Sequence, residues 1–304
     1  MLHRAYTDPG PLSADTNLVI PSGASGRAIA QALTQAGVSA DERLVQLSIR
    51  LFADKTPLRA GEYAFPAGIS LRDAIGKLQS GEVVVRRVTF AEGLSTREIL
   101  ATLSRAEGLR GPVPEVSEFS EGELLPETYH YSLGDSRADI VARMKSAMDA
   151  AVERLWADRD KDLPLKTPQE AVVLASIIER ETAVPEERAR VASVFINRLN
   201  RGMRLQSDPT VVFGMGTEDG PFTGRLLRRH LEIDHPHNTY TRDGLPPSPI
   251  ANPGLESIAA ALKPAATKYF YFVADGSGGH AFARTLAEHN RNVRKWRQIQ
   301  RRAQ

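Results

Sequence analysis

The chain has 304 residues, which at about 150 residues per domain predicts two domains. Lys and Arg number 39 against 37 Asp and Glu, a formal charge of +2 that carries no whole-chain nucleic-acid signal, and a content of 41% hydrophobic and 25% charged residues excludes a disordered chain. Cys is absent, which excludes disulfide frameworks, thiolate metal sites, iron–sulfur clusters and Cys nucleophiles; no metal-ligand spacing is built from other residues, so neither a metal nor another cofactor is expected. No window reaches the roughly 18 uninterrupted apolar residues of a membrane span, and the first twenty residues lack the apolar core of a signal peptide, so the chain reads as soluble.

Residues 6–17 (YTDPGPLSADTN) are rich in Pro, Gly, Asp and Ser and read as an extended lead-in to a strand at 18–20. Three segments then repeat one pattern: VIPSGASGRAIAQAL, FPAGISLRDAIGKL and FAEGLSTREILATL. Each has Gly (Gly23, Gly68, Gly93), Ser two residues later (Ser25, Ser70, Ser95), then Arg and apolar residues at helical spacing. The pattern predicts strand, tight turn, Ser N-cap and a short amphipathic helix, with Glu98 completing a capping box in the third copy. GELLPETYHY, around Pro126, reads equally as a hydrophobic turn and as a sugar-binding surface. Residues 138–156 show apolar spacing of three and four and form an amphipathic helix of structural type.

Residues 169–182 (QEAVVLASIIERET) form a helix apolar on nearly every side and therefore buried. Glu179 and Glu181 stand near its C-terminal end, where the helix dipole disfavours negative charge. Helical spacing sets Glu181 near Leu174, Ile177 and Ile178, and Glu179 near Val172, Ala175 and Ser176. Either carboxyl, half surrounded by apolar groups, should be harder to ionise than usual, as a general acid requires; a solvated helix end paired with Arg180 is the competing reading. A second helix is predicted at 186–201, a polar turn at 205–209, a stiff Pro- and Gly-rich loop at 244–254 and a hairpin from 268–274 through DGSGG to 280–282. The chain ends in a basic helix at 285–304 that reads as a solvated face rather than a nucleic-acid grip.

The runs ASIIERET, VASVFINRL, GMRLQSDPTVVFGMG, NTYTRDGLPPSPIANPG and YFYFVADGSGGHAF, in this order, resemble the endolytic murein transglycosylases, the YceG-like or MltG family. The resemblance implies an α+β fold: a lead-in at 1–17, an N-terminal LysM-like βα repeat domain at 18–108, and a mixed, helix-rich catalytic domain at 109–304 resembling lysozyme-like lytic transglycosylases. In those enzymes a helix ends in a catalytic Glu followed by Ser; the pair maps onto Glu181-Thr182, where Thr keeps the hydroxyl. The activity implied is cleavage of the bond between N-acetylmuramic acid and N-acetylglucosamine. One carboxyl protonates the glycosidic oxygen and then takes the proton of the muramyl C6 hydroxyl, which closes a 1,6-anhydro ring. Gln206, Asn238 and Tyr240 are expected around the sugar. Asp208 and Glu127 are further substrate-binding candidates, although a turn-capping Asp and a Pro-flanked Glu also have structural explanations.

The expected partners are peptidoglycan glycan strands and peptidoglycan synthases, with no nucleic acid. The expected place is the extracytoplasmic face of the bacterial inner membrane, through an N-terminal anchor that this chain lacks. A non-catalytic peptidoglycan-binding scaffold and a muramidase that uses water are the alternative functions.

Overall fold

The computed structural model describes residues 2–52, 56–216 and 220–303. In chain order the elements are α1 (Leu2–Thr7), β1 (Thr16–Ile20), α2 (Gly26–Gln35), α3 (Glu42–Phe52), β2 (Gly61–Phe65), α4 (Leu71–Ser80), β3 (Val85–Thr89), α5 (Thr96–Ser104), β4 (Thr128–Ser132) and α6 (Arg137–Ala157). They continue with α7 (Pro168–Glu181), α8 (Arg188–Asn200), α9 (Asp208–Gly214), α10 (Leu255–Leu262), β5 (Tyr271–Ala274), β6 (His280–Ala283) and α11 (Leu286–Ala303). The strands form three small two-stranded sheets: β1 with β2 and β5 with β6, both antiparallel, and β3 with β4. The fold is thus mixed α and β, with helices predominating.

Two compact units emerge from the packing. The first holds Met1–Val88, Ala106–Pro112 and Tyr129–Arg137; the second holds Thr89–Arg105, Val113–Thr128 and Ala138–Gln304.

The first unit is built on the repeated pattern. Gly23 and Gly68 take φ of 74° and 72°, the left-handed region that an L side chain pays to enter, and so turn the chain out of the strand. Ser25 and Ser70 then accept from the amides of Ala28 and Asp73, capping α2 and α4. Ile29 and Leu33 of α2, with Ile75 and Leu78 of α4, bury their apolar stripes against Tyr63 and Phe65 of β2 in one core. The pairing of β1 with β2 sets Thr16 opposite Phe65 and Ile20 opposite Gly61.

Two sequence expectations are corrected here. The lead-in is not extended throughout: residues 2–7 form α1, whose Tyr6 stacks on Phe52 of α3 with ring centroids 4.5 Å apart, and Leu12 is buried. Apolar contact with distant residues decides this, and the local Pro and Gly pattern does not register it. The third repeat also behaves differently. Its strand, its turn at Gly93 and its fully formed capping box at Ser95 and Glu98 match the pattern, but α5 packs in the second unit, so the division falls at 88/89 where the sequence reading sets 108.

The second unit is organised around α7. Thr167 caps it by accepting from the amide of Glu170, Pro168 occupies its first turn, and every residue from Ala171 to Ile178 is buried. Its core continues through Val191, Ala192 and Phe195 of α8, Ile258 and Ala261 of α10, and Leu205 and Ile250 from loops. Truncating a residue such as Leu174 in such a core typically costs about 2–5 kcal/mol. The sequence reading treats 205–209 as a turn and does not predict α10; α9 in fact begins at Asp208, because Pro209 is tolerated in a first helical turn, where its missing N–H removes no bond. The hairpin and the C-terminal helix fall where expected.

Candidate active site

Helix α7 ends at Thr182, whose extended backbone (φ −142°, ψ 133°) stops the helix and whose buried hydroxyl accepts from the Val184 amide. The two carboxylates just before it meet different surroundings. Glu179 is only 5% exposed and fully engaged: Oε2 accepts the Gly254 amide at 2.9 Å, and Oε1 pairs with Arg188 at 3.3 Å. Arg188 also reaches Glu92 at 2.9 Å, so Glu179 ties α7 to α8 and to the loop leading into α10. Arg180 donates to the Gly93 carbonyl and is the partner of neither carboxylate.

Glu181 is enclosed but differently used. Its Oε1 accepts a short hydrogen bond, 2.5 Å, from the Ser207 hydroxyl. Burial, the largest influence, pushes its carboxyl up; the Ser207 hydroxyl bond pulls it down, the nearby Asp208 carboxylate pushes it up, and the electrostatic influence of His280 and Arg198 pulls it down. The balance lies at about 7, against an ordinary value of 4.5. The shift runs in the direction that the apolar faces of α7 predict, and it leaves a carboxyl able to hold and release a proton near neutral pH.

Ser207 is aimed by its neighbours. Its amide donates to Thr239 Oγ1 at 3.0 Å, and Thr239 in turn bonds Thr210 Oγ1 at 2.8 Å, all three groups being buried. Gln206, just before it, has φ of 49°, the only positive value at a non-Gly position among the described residues. A left-handed L residue costs about 1–2 kcal/mol, and here flanking bonds impose it: the Gln206 amide donates to the Thr239 carbonyl, and the Leu205 carbonyl receives the buried Arg198 guanidinium at 2.6 Å. Arg198 also donates to the Phe270 carbonyl at 2.7 Å, joining α8, this loop and the segment entering β5.

The sequence candidates divide on this geometry. Gln206 is exposed beside Ser207. Asp208 accepts the Tyr240 hydroxyl at 2.5 Å; burial and Asp208 push that phenol well above its usual range, so Tyr240 is a neutral donor. Asn238 requires a correction. It is 1% exposed, and its side chain donates to the carbonyls of Leu231 and Ile233 and accepts the Tyr240 amide, so it holds the loop rather than facing a ligand. Glu127 is exposed, and its carboxylate accepts its neighbour Thr128's amide at 3.3 Å; no bond links it to Glu181 or Ser207.

Ser207, Thr239 and Arg198 are the positions that sequence reasoning did not assign. Ser207 and Thr239 sit in the quoted runs, but nothing local separates a hydroxyl aimed at Glu181 from one that ends a turn. Asn252 is a further hidden element: fully buried, it accepts the amides of Gly122 and Leu124 and donates to Leu94, Thr96 and Glu121, holding the loop 244–254 in place.

The backbone strain gives a direct prediction. Gln206→Gly relieves the left-handed conformation, so stability is expected to hold or rise by up to about 1 kcal/mol in thermal unfolding. If the side chain contacts substrate, turnover falls in the same variant; full activity would assign Gln206 a backbone role alone.

The YceG-like family matches residues 18–295. The chain is 33% identical over 310 residues to the endolytic murein transglycosylase of Bacillus subtilis (strain 168), a match covering 92% of this chain and 84% of that protein. It is 27% identical to the endolytic murein transglycosylase of Streptococcus pneumoniae serotype 2 (strain D39), over 90% of this chain but 57% of that longer relative. The crystal structure of a YceG-like protein from Listeria monocytogenes superposes with a TM-score of 0.54 at 27% identity, covering 92% of this chain and 99% of that one. Among the described residues no helix is long and apolar enough to cross a membrane. With the family match running almost end to end and a third of the positions shared with the Bacillus protein, the chain belongs to the YceG-like family.

Proposed function

We propose that this chain is an endolytic lytic transglycosylase that cuts peptidoglycan between N-acetylmuramic acid and N-acetylglucosamine and leaves a 1,6-anhydro end. The observation that carries this reading is one carboxyl, Glu181, poised near neutral pH at the end of a buried helix and oriented by Ser207. In the protonated form it delivers its proton to the glycosidic oxygen. The resulting carboxylate then takes the proton of the muramyl C6 hydroxyl as that oxygen closes on the anomeric carbon. The hydroxyl belongs to the substrate, so it attacks at high effective concentration and no separate water-activating base is needed.

Support for a single working carboxylate comes from its neighbours. A hydrolase needs a second carboxylate, either as base toward water or as nucleophile. Here Glu179 is spent on Gly254 and Arg188, and Asp208 on Tyr240. Gln206 and Tyr240 are the side chains assigned to hold the sugar, Tyr240 as an acceptor through its hydroxyl oxygen, whose proton goes to Asp208. The N-terminal βα repeats are assigned a LysM-like role in holding the glycan strand, and the names of the relatives support murein as substrate.

The test is product analysis. Purified peptidoglycan incubated with the chain should yield fragments ending in 1,6-anhydro-N-acetylmuramic acid by mass spectrometry. Reducing ends would make the enzyme a muramidase, and intact glycan would make it a binding scaffold.

A further inference from the structure

The second unit contains a cavity of about 450 Å3 that the reaction just described does not use. It adjoins the Glu181 site along two segments. Arg180, the residue before Glu181, lines it, as does Pro209, the residue after Asp208. On the last turn of α7 successive side chains leave the axis about 100° apart, so Glu181 turns toward Ser207 while Arg180 turns into the cavity.

Its walls are chemically sorted. One side is a run of rings, Phe213 against His237 with centroids 4.8 Å apart and His237 against His235 at 5.5 Å. Burial and the adjacent His235 push His237 down to about 4, so this ring is an uncharged surface near neutral pH. The carboxylates in the lining are already satisfied. Glu98 accepts the Ser95 amide and hydroxyl in the capping box of α5, and Glu121 accepts the Thr96 amide and the Asn252 side chain. Arg180 differs: it is exposed and gives one N–H to the Gly93 carbonyl, out of the five that a guanidinium carries. A cavity with an aromatic wall, satisfied carboxylates and an open guanidinium fits a short peptide ending in a carboxylate.

We infer that this cavity receives the peptide stem of the substrate, with Arg180 binding a stem carboxylate while the muramyl residue that bears the stem lies at Glu181. This rests on the peptidoglycan-cleaving reading and adds to it a preference for glycan that carries peptide. The connection is short on the substrate too, because the stem hangs from the lactyl group of the sugar whose bond is cut. The Cα atoms of Arg180 and Glu181 are about 3.8 Å apart, so occupation of one site sets the register of the other.

The experiment compares full-length wild type, Arg180→Gln and Arg180→Lys on peptidoglycan glycan with its stems intact and on the same glycan stripped of stems by an amidase. Wild type should favour the stem-bearing glycan. Arg180→Gln should lower kcat/KM on that glycan about ten- to a hundredfold, the scale of one charge-assisted hydrogen bond, and at least tenfold more than on the stripped glycan. Arg180→Lys, which keeps the charge without the fork, should recover part of the loss. Turnover of stripped glycan also reports that the variants are folded. Equal losses on both glycans, or none on the stem-bearing one, would overturn the stem site and leave the cleavage reading standing. Failure of the wild type to cut either glycan would overturn both.

Discussion

Glu181→Gln is expected to leave a folded chain that no longer cuts peptidoglycan, a loss of about 10²–10⁴-fold or more, because Gln keeps the shape and the bond to Ser207 but carries no transferable proton. The same substitution should raise stability in a pH-dependent way. The folded carboxyl sits at about 7, above its ordinary 4.5, so the native state binds more protons than the unfolded chain between those values. The contribution of Glu181 is therefore fully present below pH 4.5 and is lost as pH rises through about 7. Gln does not titrate, so the variant should gain on wild type in thermal unfolding at pH 8 and much less at pH 5. Equal melting curves at both pH values would mean that Glu181 is solvated.

Glu179→Gln is the natural control and should behave in the opposite way. Its carboxylate receives the Gly254 amide and Arg188, so the variant is expected to lose about 1–3 kcal/mol of stability while retaining far more activity. Inactivation of both variants to the same extent would remove the distinction between the two carboxylates.

The pH profile provides the second large effect. A proton donor must be protonated when free enzyme meets substrate, so with Glu181 in the proposed role kcat/KM should fall as pH rises through about 7. The groups facing it are Ser207 and Asp208 at the start of α9, His280 on β6 and Arg198 on α8. The Ser207 hydroxyl stabilises the carboxylate and pulls its pKa down. Ser207→Ala should therefore move the alkaline limb to higher pH and also lower kcat, because the carboxyl loses the bond that orients it. A limb that stays in place in this variant would show that Ser207 does not govern the ionisation of Glu181.

Much of the fold was legible because its signals are local. Ser25, Ser70 and Ser95 cap their helices through amides three residues ahead, and the Gly two residues before each provides the turn. Helix α7 could be placed from its run of apolar residues, and the same run announced burial. What failed was the assignment of α5 to the first unit and the extended conformation of residues 2–7, since both depend on apolar partners elsewhere in the chain.

The site divides in the same way. Sequence by itself determined that two carboxylates end a buried helix, because helical periodicity acts within a turn or two. Only the tertiary structure shows how their surroundings differ. Glu179 meets an amide 75 positions away at Gly254, whereas Glu181 meets a hydroxyl 26 positions away at Ser207. Asn238 makes the same point from the other side: its amide suits a sugar, yet the carbonyls of Leu231 and Ile233 take its donors. Which polar group is free to do chemistry depends on which partners the fold brings within about 3 Å of it, and burial strengthens the effect of each partner. Those partners come from segments whose own local patterns do not specify where the chain will bring them.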